Sequence, residues 1–349
     1  MKTAQRVLVV RQVHLGDVLL TTPMLSALKA AIPECRITCM VRSSLQEVLE
    51  NNPNVNAIWH TDYRPPVSRF LPLARQLRKE RFDAVLLCFP GSGAHLWIST
   101  LAGIPIRIGS AYKYYAHLLT YNLRFDFHDP PMHEVEYITA LAQYLTPTPL
   151  QPGRLVLPVL AHHEQEAERI LQQHGVRREQ PFFCVHPGTG GSSHAWYPER
   201  YGQVARKLRE AAGWTAVVTG GAHETALAQT VCQQAGEGAV NLAGQTSVPV
   251  LGAVLKRAKL LVSGDTGAVH VAASMGTPCV VVHPVSDYRV REKRWRPWMV
   301  PYRIVPATAF CPTCSLVECQ MGGDICRRSV SVDAVVEASL SLAEELGIL

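Results

Sequence analysis

Short apolar runs alternate with helical patterns along this chain, and the alternation stops at a proline-rich segment before it starts again. Such runs are typical of parallel strands, which are buried on both faces and need no polar side. In the first half they fall at residues 6–10, 36–41, 56–60 and 84–89, and a helical pattern occupies 18–31. Strands that alternate with helices predict a doubly wound parallel sheet.

The proline-rich segment, residues 144–158, predicts a linker because it carries four prolines. After it the alternation restarts with a polar helix at 162–174 and ends with a helix at 332–346. Between these, the predicted strands are 181–186, 214–219, 260–263 and 278–283, and the predicted helices are 198–212, 222–235, 248–257 and 268–275.

The sequence therefore predicts an α/β protein with two facing Rossmann-like domains and parallel sheets, for which 349 residues are sufficient. The predicted divisions are 1–150 for the N-terminal domain, 151–178 for a linker and polar helix, 179–330 for the C-terminal domain and 331–349 for a C-terminal helix. Ligands of such sheets bind outside the carboxyl ends of the strands, so we expect a site in the cleft between the domains.

Composition restricts the location and the partners. Apolar residues make up 47% of the chain, yet no run of about 18 apolar residues occurs and no signal-peptide pattern opens it, so a cytoplasmic protein is expected. The net charge of +6 lacks the dense basic clusters of a nucleic-acid-binding protein. It suits an anionic small ligand or an anionic membrane surface, and ordinary solubility charge explains it equally well.

The segment 263–270 carries the sharpest local pattern, because it lies where a predicted strand ends and a helix begins. Glycines at 264 and 267 allow close approach of a ligand, and free N–H groups at the helix start favour a phosphate. Thr266 adds a hydroxyl donor, and His270 follows one turn later. Asp265 either holds ribose hydroxyls or caps the helix, and these alternatives are about equally supported.

A glycine loop, defined here as residues 185–196, follows the first strand of the second half. Its Gly188, Thr189 and Gly190 belong to a stretch of glycines and hydroxyl residues that is able to form a nest of N–H groups around a diphosphate. The loop matches neither a Walker A motif nor a dinucleotide fingerprint. A lone glycine-rich loop is usually only a loop, but this one falls on the same sheet edge as Asp265.

Two acidic residues follow other strands. Glu224 lies after the strand 214–219, where an acidic residue can hydrogen-bond a ribose diol or simply favour a helix N-terminus. Asp17 is the only carboxylate near the turn between the first strand and helix. It either takes a proton from an acceptor hydroxyl as a general base or caps the helix.

Together these segments resemble glycosyltransferase family 9, the ADP-heptose:lipopolysaccharide heptosyltransferases. The resemblance rests on Val-Leu-Val-Val-Arg-x-x-x-Leu-Gly-Asp-Val-Leu-Leu-Thr-Thr-Pro at 7–23, His-Pro-Gly at 186–188 with Trp196, Gly-Gly at 220–221, and Asp-Thr-Gly-Ala-Val-His-Val-Ala-Ala at 265–273. These motifs occur in the family's order and span nearly the whole chain.

The resemblance implies a GT-B fold and inverting transfer from a nucleotide-diphospho-sugar, usually ADP-heptose, to a lipopolysaccharide core acceptor, without a catalytic metal or other cofactor. It implies that Asp17 is the base, that Asp265, Thr266 and Gly267 hold the donor phosphates and neighbouring groups, and that His270 lies close by. Family members commonly carry a lysine two residues before the tryptophan of the glycine loop. Here that position is His194, whose neutral imidazole stabilises a diphosphate less than an ammonium does.

The acceptor side matches no family motif. Residues 1–150 hold fifteen Lys and Arg against eleven Asp and Glu, and Arg64, Arg69 and Lys113 fall in predicted loops beside strands. Arginine binds phosphates and carboxylates with two hydrogen bonds, so we predict that some of these three residues hold an anionic glycolipid acceptor and bring the protein to the inner membrane face. For any single residue, a solvated basic surface is the better-supported explanation of the charge.

Ten cysteines are present, and four of them, Cys311, Cys314, Cys319 and Cys326, are clustered. Four thiolates can hold zinc or iron, but the spacing lacks the second Cys-x-x-Cys of a strong zinc site, so disulfides or free thiols remain alternatives. Rival functions also remain: a nucleotide-sugar epimerase or a phosphorylase on the same architecture, or a homologue that binds nucleotide sugar without catalysis.

Overall fold

The computed structural model describes residues 4–89, 93–110, 114–124, 132–191, 194–285, 288–309 and 324–349. The chain divides into two compact units, Met1–Pro158 and Val159–Leu349. Among the described residues, none of the helices combines the length and the apolar content that a membrane crossing needs.

The first unit is built on a parallel sheet, six-stranded in its described part, with the strand order β3-β2-β1-β4-β5-β6. The strands are β1 (Arg6–Val10), β2 (Arg36–Val41), β3 (Ala57–His60), β4 (Ala84–Leu87), β5 (Ile106–Gly109) and β6 (Tyr121–Asn122). The α-helices are α1 (Leu15–Leu19), α2 (Thr22–Ala31), α3 (Phe70–Glu80), α4 (Gly93–Leu101) and α5 (Glu134–Ala142), and short 3-10 helices cover Ser43–Val48, Val67–Arg69, Tyr114–Leu118 and Gln143–Leu145.

The second unit repeats this plan with a parallel sheet in the order β12-β11-β10-β7-β8-β9. The strands are β7 (Phe182–His186), β8 (Thr215–Val218), β9 (Val240–Asn241), β10 (Leu261–Gly264), β11 (Cys279–His283) and β12 (Tyr302–Pro306). The α-helices are α6 (Ala161–Gln173), α7 (Pro198–Ala212), α8 (Thr225–Ala235), α9 (Val248–Arg257), α10 (Gly267–Met275), α11 (Tyr288–Trp295), α12 (Ile325–Ser329) and α13 (Val332–Glu345), and a 3-10 helix covers Ala222–Glu224.

Central strands of both sheets are buried along almost their whole length. In β1, Leu8 and Val10 pack with Phe82 and Leu96 in one apolar cluster, and in β7, Phe183 packs in another with residues of α7 and α13. Helices on both faces of a parallel sheet leave no face for water, which explains the continuous apolar runs in these strands. The predicted α/β class with parallel sheets is confirmed.

Strand order reverses at equivalent points of the two sheets. In the first unit β1 lies between β2 and β4, and in the second β7 lies between β8 and β10. Connections leave such neighbouring strands in opposite directions, which opens a crevice at their carboxyl ends where ligands bind in this class of fold. The glycine loop follows β7 and Asp265 follows β10, so both flank the reversal in the second unit.

Two predicted helices differ in detail from the structure. The pattern 18–31 forms two helices, α1 and α2, because Pro23 has no N–H to give and belongs in a first turn, where it starts α2. The pattern 222–235 begins with the 3-10 turn Ala222–Glu224 and becomes α-helical only at Thr225.

Candidate active site

Asp17 lies in α1, just beyond the carboxyl end of β1, and its side chain is 15% exposed. Its Oδ1 accepts a hydrogen bond of 2.6 Å from Arg11 Nη2, and its Oδ2 accepts one of 3.2 Å from the backbone N–H of His14. The capping contact that the sequence left as an alternative is therefore present. It occupies one oxygen of a carboxylate that is also ion-paired.

Arg11 links Asp17 to a second carboxylate. The same Nη2 donates to Glu134 Oε1 at 2.8 Å, and Nη1 donates to the backbone carbonyl of Cys88, just beyond β4. Arg11 is 2% exposed and Glu134 is fully buried at the start of α5. One guanidinium thus joins the ends of β1 and β4 and is shared by two acidic side chains.

The charges of this cluster set the ionisation of Asp17. Burial by itself raises the pKa of the Asp17 carboxyl, but the attraction and hydrogen bond of Arg11, with a smaller contribution from His14, outweigh it and hold the pKa below its ordinary value. Burial alone lowers the pKa of Arg11, and the carboxylates of Asp17 and Glu134 reverse this and raise it. Asp17 is therefore an anion over the whole neutral range.

In the second unit, Glu224 fills the space beside Gly188 of the glycine loop. A Cβ atom at Gly188 would overlap the Glu224 carboxylate, so only glycine allows this approach. Glu224 Oε2 accepts a hydrogen bond of 2.8 Å from the N–H of Gly221, which fixes it at the start of the Ala222–Glu224 turn. The ends of β7 and β8 therefore meet at this carboxylate.

His186, the last residue of β7, is buried next to the same carboxylate. Its Nδ1 lies 3.0 Å from Thr219 Oγ1, and its Nε2 lies 3.9 Å from Glu224 Oε2. Burial lowers the pKa of the imidazole, and the Glu224 carboxylate only partly opposes this. His186 is therefore neutral near pH 7, and it was not among the predicted site residues.

The glycine loop and the end of β10, which leads into α10, are in contact. Ser263 Oγ donates to the carbonyl of His186 at 3.0 Å, and a Cβ built on Gly264 would lie 3.7 Å from Thr189 Cγ2. Gly190 adopts a φ of +54°, which favours glycine. The far end of the loop is anchored by Trp196, whose indole Nε1 donates to the carbonyl of Arg327 at 3.2 Å. His194 is half-buried.

At the start of α10, the N-cap residue is Thr266 rather than Asp265. Asp265 instead forms an ion pair with Arg291 of α11, with 2.5 Å between Oδ2 and Nη1. Gly267 is the first residue of α10, and His270 is buried three positions later. The structure thus brings Gly188, Thr189, Glu224 and the Thr266–Gly267 turn to one edge of the second sheet, as expected for a diphosphate site.

Of the three predicted acceptor residues, the structure describes two. Arg69 lines a cavity of about 340 Å³ beyond the ends of β2 and β3, together with Arg42, Ser43, Ser44, His60, Thr61, Asp62, Pro65 and Leu73. Arg64 is exposed, with its guanidinium 5.3 Å from the ring centre of Tyr63. Lys113 lies outside the described residues.

The cysteine cluster is placed only at its last member. Cys311, Cys314 and Cys319 lie outside the described residues, and Cys326 is buried in α12. Within the ranges that the structure describes, no group of three or more His, Cys, Asp or Glu side chains is arranged to hold a metal ion.

Comparison with known proteins identifies the family. The profile of glycosyltransferase family 9 (heptosyltransferase) matches residues 70–323, a range that begins after Asp17. Lipopolysaccharide heptosyltransferase 3 of Escherichia coli is 25% identical over 300 residues, which cover 81% of this chain and 83% of that protein.

Two solved structures share the fold. The glycosyl transferase family 9 protein of Veillonella parvula has a TM-score of 0.81 at 22% identity, covering 98% of this chain and 97% of its own. The ADP-heptose lps heptosyltransferase II of Escherichia coli has a TM-score of 0.74 at 23% identity, covering 98% and 99%. The two-domain α/β architecture described above is thus the GT-B fold of these transferases, and the chain is a glycosyltransferase that belongs to family 9.

Proposed function

We propose that this glycosyltransferase moves a heptose from ADP-heptose to an anionic lipopolysaccharide core acceptor, with inversion at the anomeric carbon. The similarity to heptosyltransferases supports the sugar and the acceptor, and the name of the Escherichia coli structure supports the ADP donor. The observation that carries the proposal is the edge of the second sheet, where a glycine loop, a helix start and a fixed carboxylate meet.

The donor is bound by the second unit in this proposal. The N–H groups of Gly188, Thr189 and Gly190 and the start of α10 at Thr266 and Gly267 hold the diphosphate, since a helix start and a nest of N–H groups both favour an anion.

Other side chains at this edge complete the donor site. Glu224 and Asp265 accept hydrogen bonds from ribose or sugar hydroxyls, because both are carboxylates fixed at strand ends. His194 and His270 stand beside the phosphates and supply further donors.

Asp17 is the general base. It takes the proton of the acceptor hydroxyl as that oxygen forms its bond to the anomeric carbon, and the bond from that carbon to the diphosphate oxygen breaks with its electron pair. The N–H groups that hold the diphosphate stabilise the negative charge it gains on leaving. The proposal uses no metal ion and no other cofactor.

The acceptor is bound by the first unit. Arg69 and Arg42 both line the cavity beyond β2 and β3, so one concave site has two arginines in its lining, and arginine suits phosphates or carboxylates. Arg64 and Lys113 are proposed to add charge around it. The resulting partner is an anionic glycolipid at the inner face of the cytoplasmic membrane.

Exposed apolar side chains support contact with that membrane. Val67 is 79% exposed and Leu71 is 57% exposed, and they lie four positions apart at the start of α3. Arg64, Arg69 and Arg75 lie before, between and after them in the chain and are exposed. Apolar side chains among basic ones suit an anionic lipid surface, where burial and charge attraction add.

The test is a mass measurement of products after incubation with ADP-heptose and a lipid A–Kdo acceptor. We expect the acceptor to gain one heptosyl unit while ADP is released in equal amount. An isomerised nucleotide sugar, whose mass is unchanged and which is recognised by its chromatographic retention, would show an epimerase instead. Binding of ADP in thermal-shift assays without product would show a non-catalytic homologue, because a ligand of the native state raises its stability by mass action.

A further inference from the structure

Asp265 and Arg291 form an ion pair that the sequence pattern did not indicate. The Arg291 Nη1 and the Asp265 Oδ2 are 2.5 Å apart, and the side chains are only 6% and 13% exposed. Both groups are thus largely removed from water, where a charge-assisted hydrogen bond is short and directional.

Neighbouring strands bring the pair together. Asp265 directly follows β10, and α11 comes after β11, whose residue Val282 is in register with Gly264 of β10. The carboxyl ends of these parallel strands meet at one edge of the sheet, so α11 delivers Arg291 to the turn that precedes α10. This edge also holds the glycine loop.

An aromatic ring also lies near the guanidinium. The Cζ of Arg291 lies 5.9 Å from the ring centre of Trp295, and Arg294, also buried, lies 4.1 Å from the same ring. Arginine over a tryptophan face is attracted to it. The ring and the Asp265 carboxylate together limit the directions that the guanidinium can take.

Stability alone explains this pair poorly. Removing two charges from water costs several kcal/mol, and a buried ion pair is often no better for folding than apolar side chains of the same size. Its place is informative instead, because Asp265 lies next to the helix start that is proposed to hold a diphosphate. A carboxylate beside a diphosphate repels it unless a cation neutralises one of the two.

We propose that Arg291 is a positioning residue for the donor: it holds the Asp265 carboxylate in the direction of the donor's hydroxyl groups and neutralises it beside the diphosphate. This inference rests on the proposed function of the second unit. It identifies the ligand class as a nucleoside diphosphate carrying a polyhydroxylated sugar. Arg291 acts through Asp265 and contacts no reacting atom.

The first experiment compares Arg291→Gln and Arg291→Lys by initial rates with ADP-heptose and by inhibition with ADP. A misdirected charged hydrogen bond is worth about 1.5 kcal/mol, so Arg291→Gln is expected to raise the donor KM about tenfold while kcat changes less. Arg291→Lys restores one donor and is expected to recover most of the affinity. Arg303→Gln, which breaks the exposed pair of Arg303 with Glu345 in the same unit, serves as the control and leaves the KM unchanged.

A double-mutant cycle separates positioning from direct binding, because it compares two forms that both lack the Asp265 carboxylate. Asp265→Ala and the double variant Asp265→Ala, Arg291→Gln are expected to share one donor KM, because alanine leaves Arg291 no side-chain acceptor to position. A further rise in the double variant, or a wild-type donor KM in both Arg291 variants, would overturn the inference. Failure of the unaltered protein to bind ADP would instead refute the proposed donor site.

Discussion

Glu134 lies 123 positions after Arg11 in the chain, yet its Oε1 accepts a hydrogen bond of 2.8 Å from Arg11 Nη2, the same nitrogen that donates to Asp17. A buried cation is thereby placed between two carboxylates, of which only Asp17 has a surface open to solvent. The proposed base is therefore held by a charge network rather than by a helix cap alone.

We expect the pH dependence of turnover to reveal this network. Since Arg11 holds the pKa of Asp17 below its ordinary value, kcat/KM of the unaltered protein should show no loss due to Asp17 between pH 8 and pH 5. Arg11→Gln removes the opposing charge and leaves burial, which raises that pKa, so activity at pH 5 should fall relative to pH 8.

Two further variants complete this test. Arg6→Gln breaks the exposed pair of Arg6 with Glu80 at 2.9 Å and should leave the profile unchanged. Arg11→Gln leaves the buried Glu134 carboxylate without its opposite charge. The double variant Arg11→Gln, Glu134→Gln removes that unpaired buried charge as well. An unshifted acidic limb in both Arg11 variants would show that Arg11 does not control Asp17.

Asp17→Asn is expected to lower kcat by about a hundredfold or more, the usual contribution of a general base, while ADP binding is retained. The amide oxygen of the introduced asparagine can still accept from the N–H of His14, so the helix start should survive. Single-turnover rates and ADP titration measure the two effects. Near-normal turnover would remove Asp17 from the mechanism.

Gly188→Ala should weaken donor binding, because the new methyl group must displace the Glu224 carboxylate from its place beside the glycine loop. We expect a rise in the donor KM and only a small change in the free energy of unfolding, because the close atoms are the far end of the flexible Glu224 side chain, which can turn aside. Gly153→Ala is the control, since a Cβ there meets no atom within 4 Å. Equal donor KM values in the two variants would contradict a role for this approach.

Neutralising Arg64 and Arg69 together should raise the acceptor KM and weaken binding to vesicles that contain anionic lipid, with no change in the donor KM. The cavity beside Arg69 and the exposed Val67 and Leu71 provide the physical reason. Replacing Val67 and Leu71 by serine should weaken only vesicle binding, and Met299→Ser, an exposed apolar site of the second unit, should not. If both KM and vesicle binding stay constant, the acceptor is held elsewhere.

His95 should make the first unit sensitive to acid. Burial lowers the pKa of His95 to about 4 from an ordinary value of 6.5. As the pH falls, His95 is therefore protonated near pH 6.5 in the unfolded chain but only near pH 4 in the folded protein. Stability therefore falls as pH falls, by about 2 kcal/mol between pH 7 and pH 5 for this group. In denaturant unfolding, His95→Leu should lose this part of the pH dependence of the free energy of unfolding. His162→Leu, which replaces an exposed histidine, should keep it.

The central strands and the motif residues could be predicted from the sequence, for a physical reason. β1, β7 and β10 are buried on both faces and appear as continuous apolar runs, so the parallel sheets could be predicted. The two-residue edge strands β6 and β9 are too short to leave a pattern, and five of the eight residues of α11 are charged, so no apolar periodicity marked it.

Ion pairs between residues far apart in the chain could not be predicted in this way. Arg11 belongs to the quoted N-terminal motif, but its partner Glu134 comes close only when α5 packs against the sheet. The spacing of residues within either segment does not predict this contact. Arg291 meets Asp265 only because β10 and β11 are neighbours with aligned ends. A charge network between separate elements can be identified only from the folded structure, whereas turns and helix starts can be predicted from neighbouring residues in the sequence.

The two sheets reverse their strand order independently, one before residue 158 and the other after it. Under the proposed assignments, each substrate is recognised by its own continuous stretch of chain. Mutation can then change the sugar that is delivered without altering the hydroxyl that receives it. A chimera that joins residues 1–158 to the second half of a relative is accordingly expected to inherit its donor preference from one parent and its acceptor preference from the other.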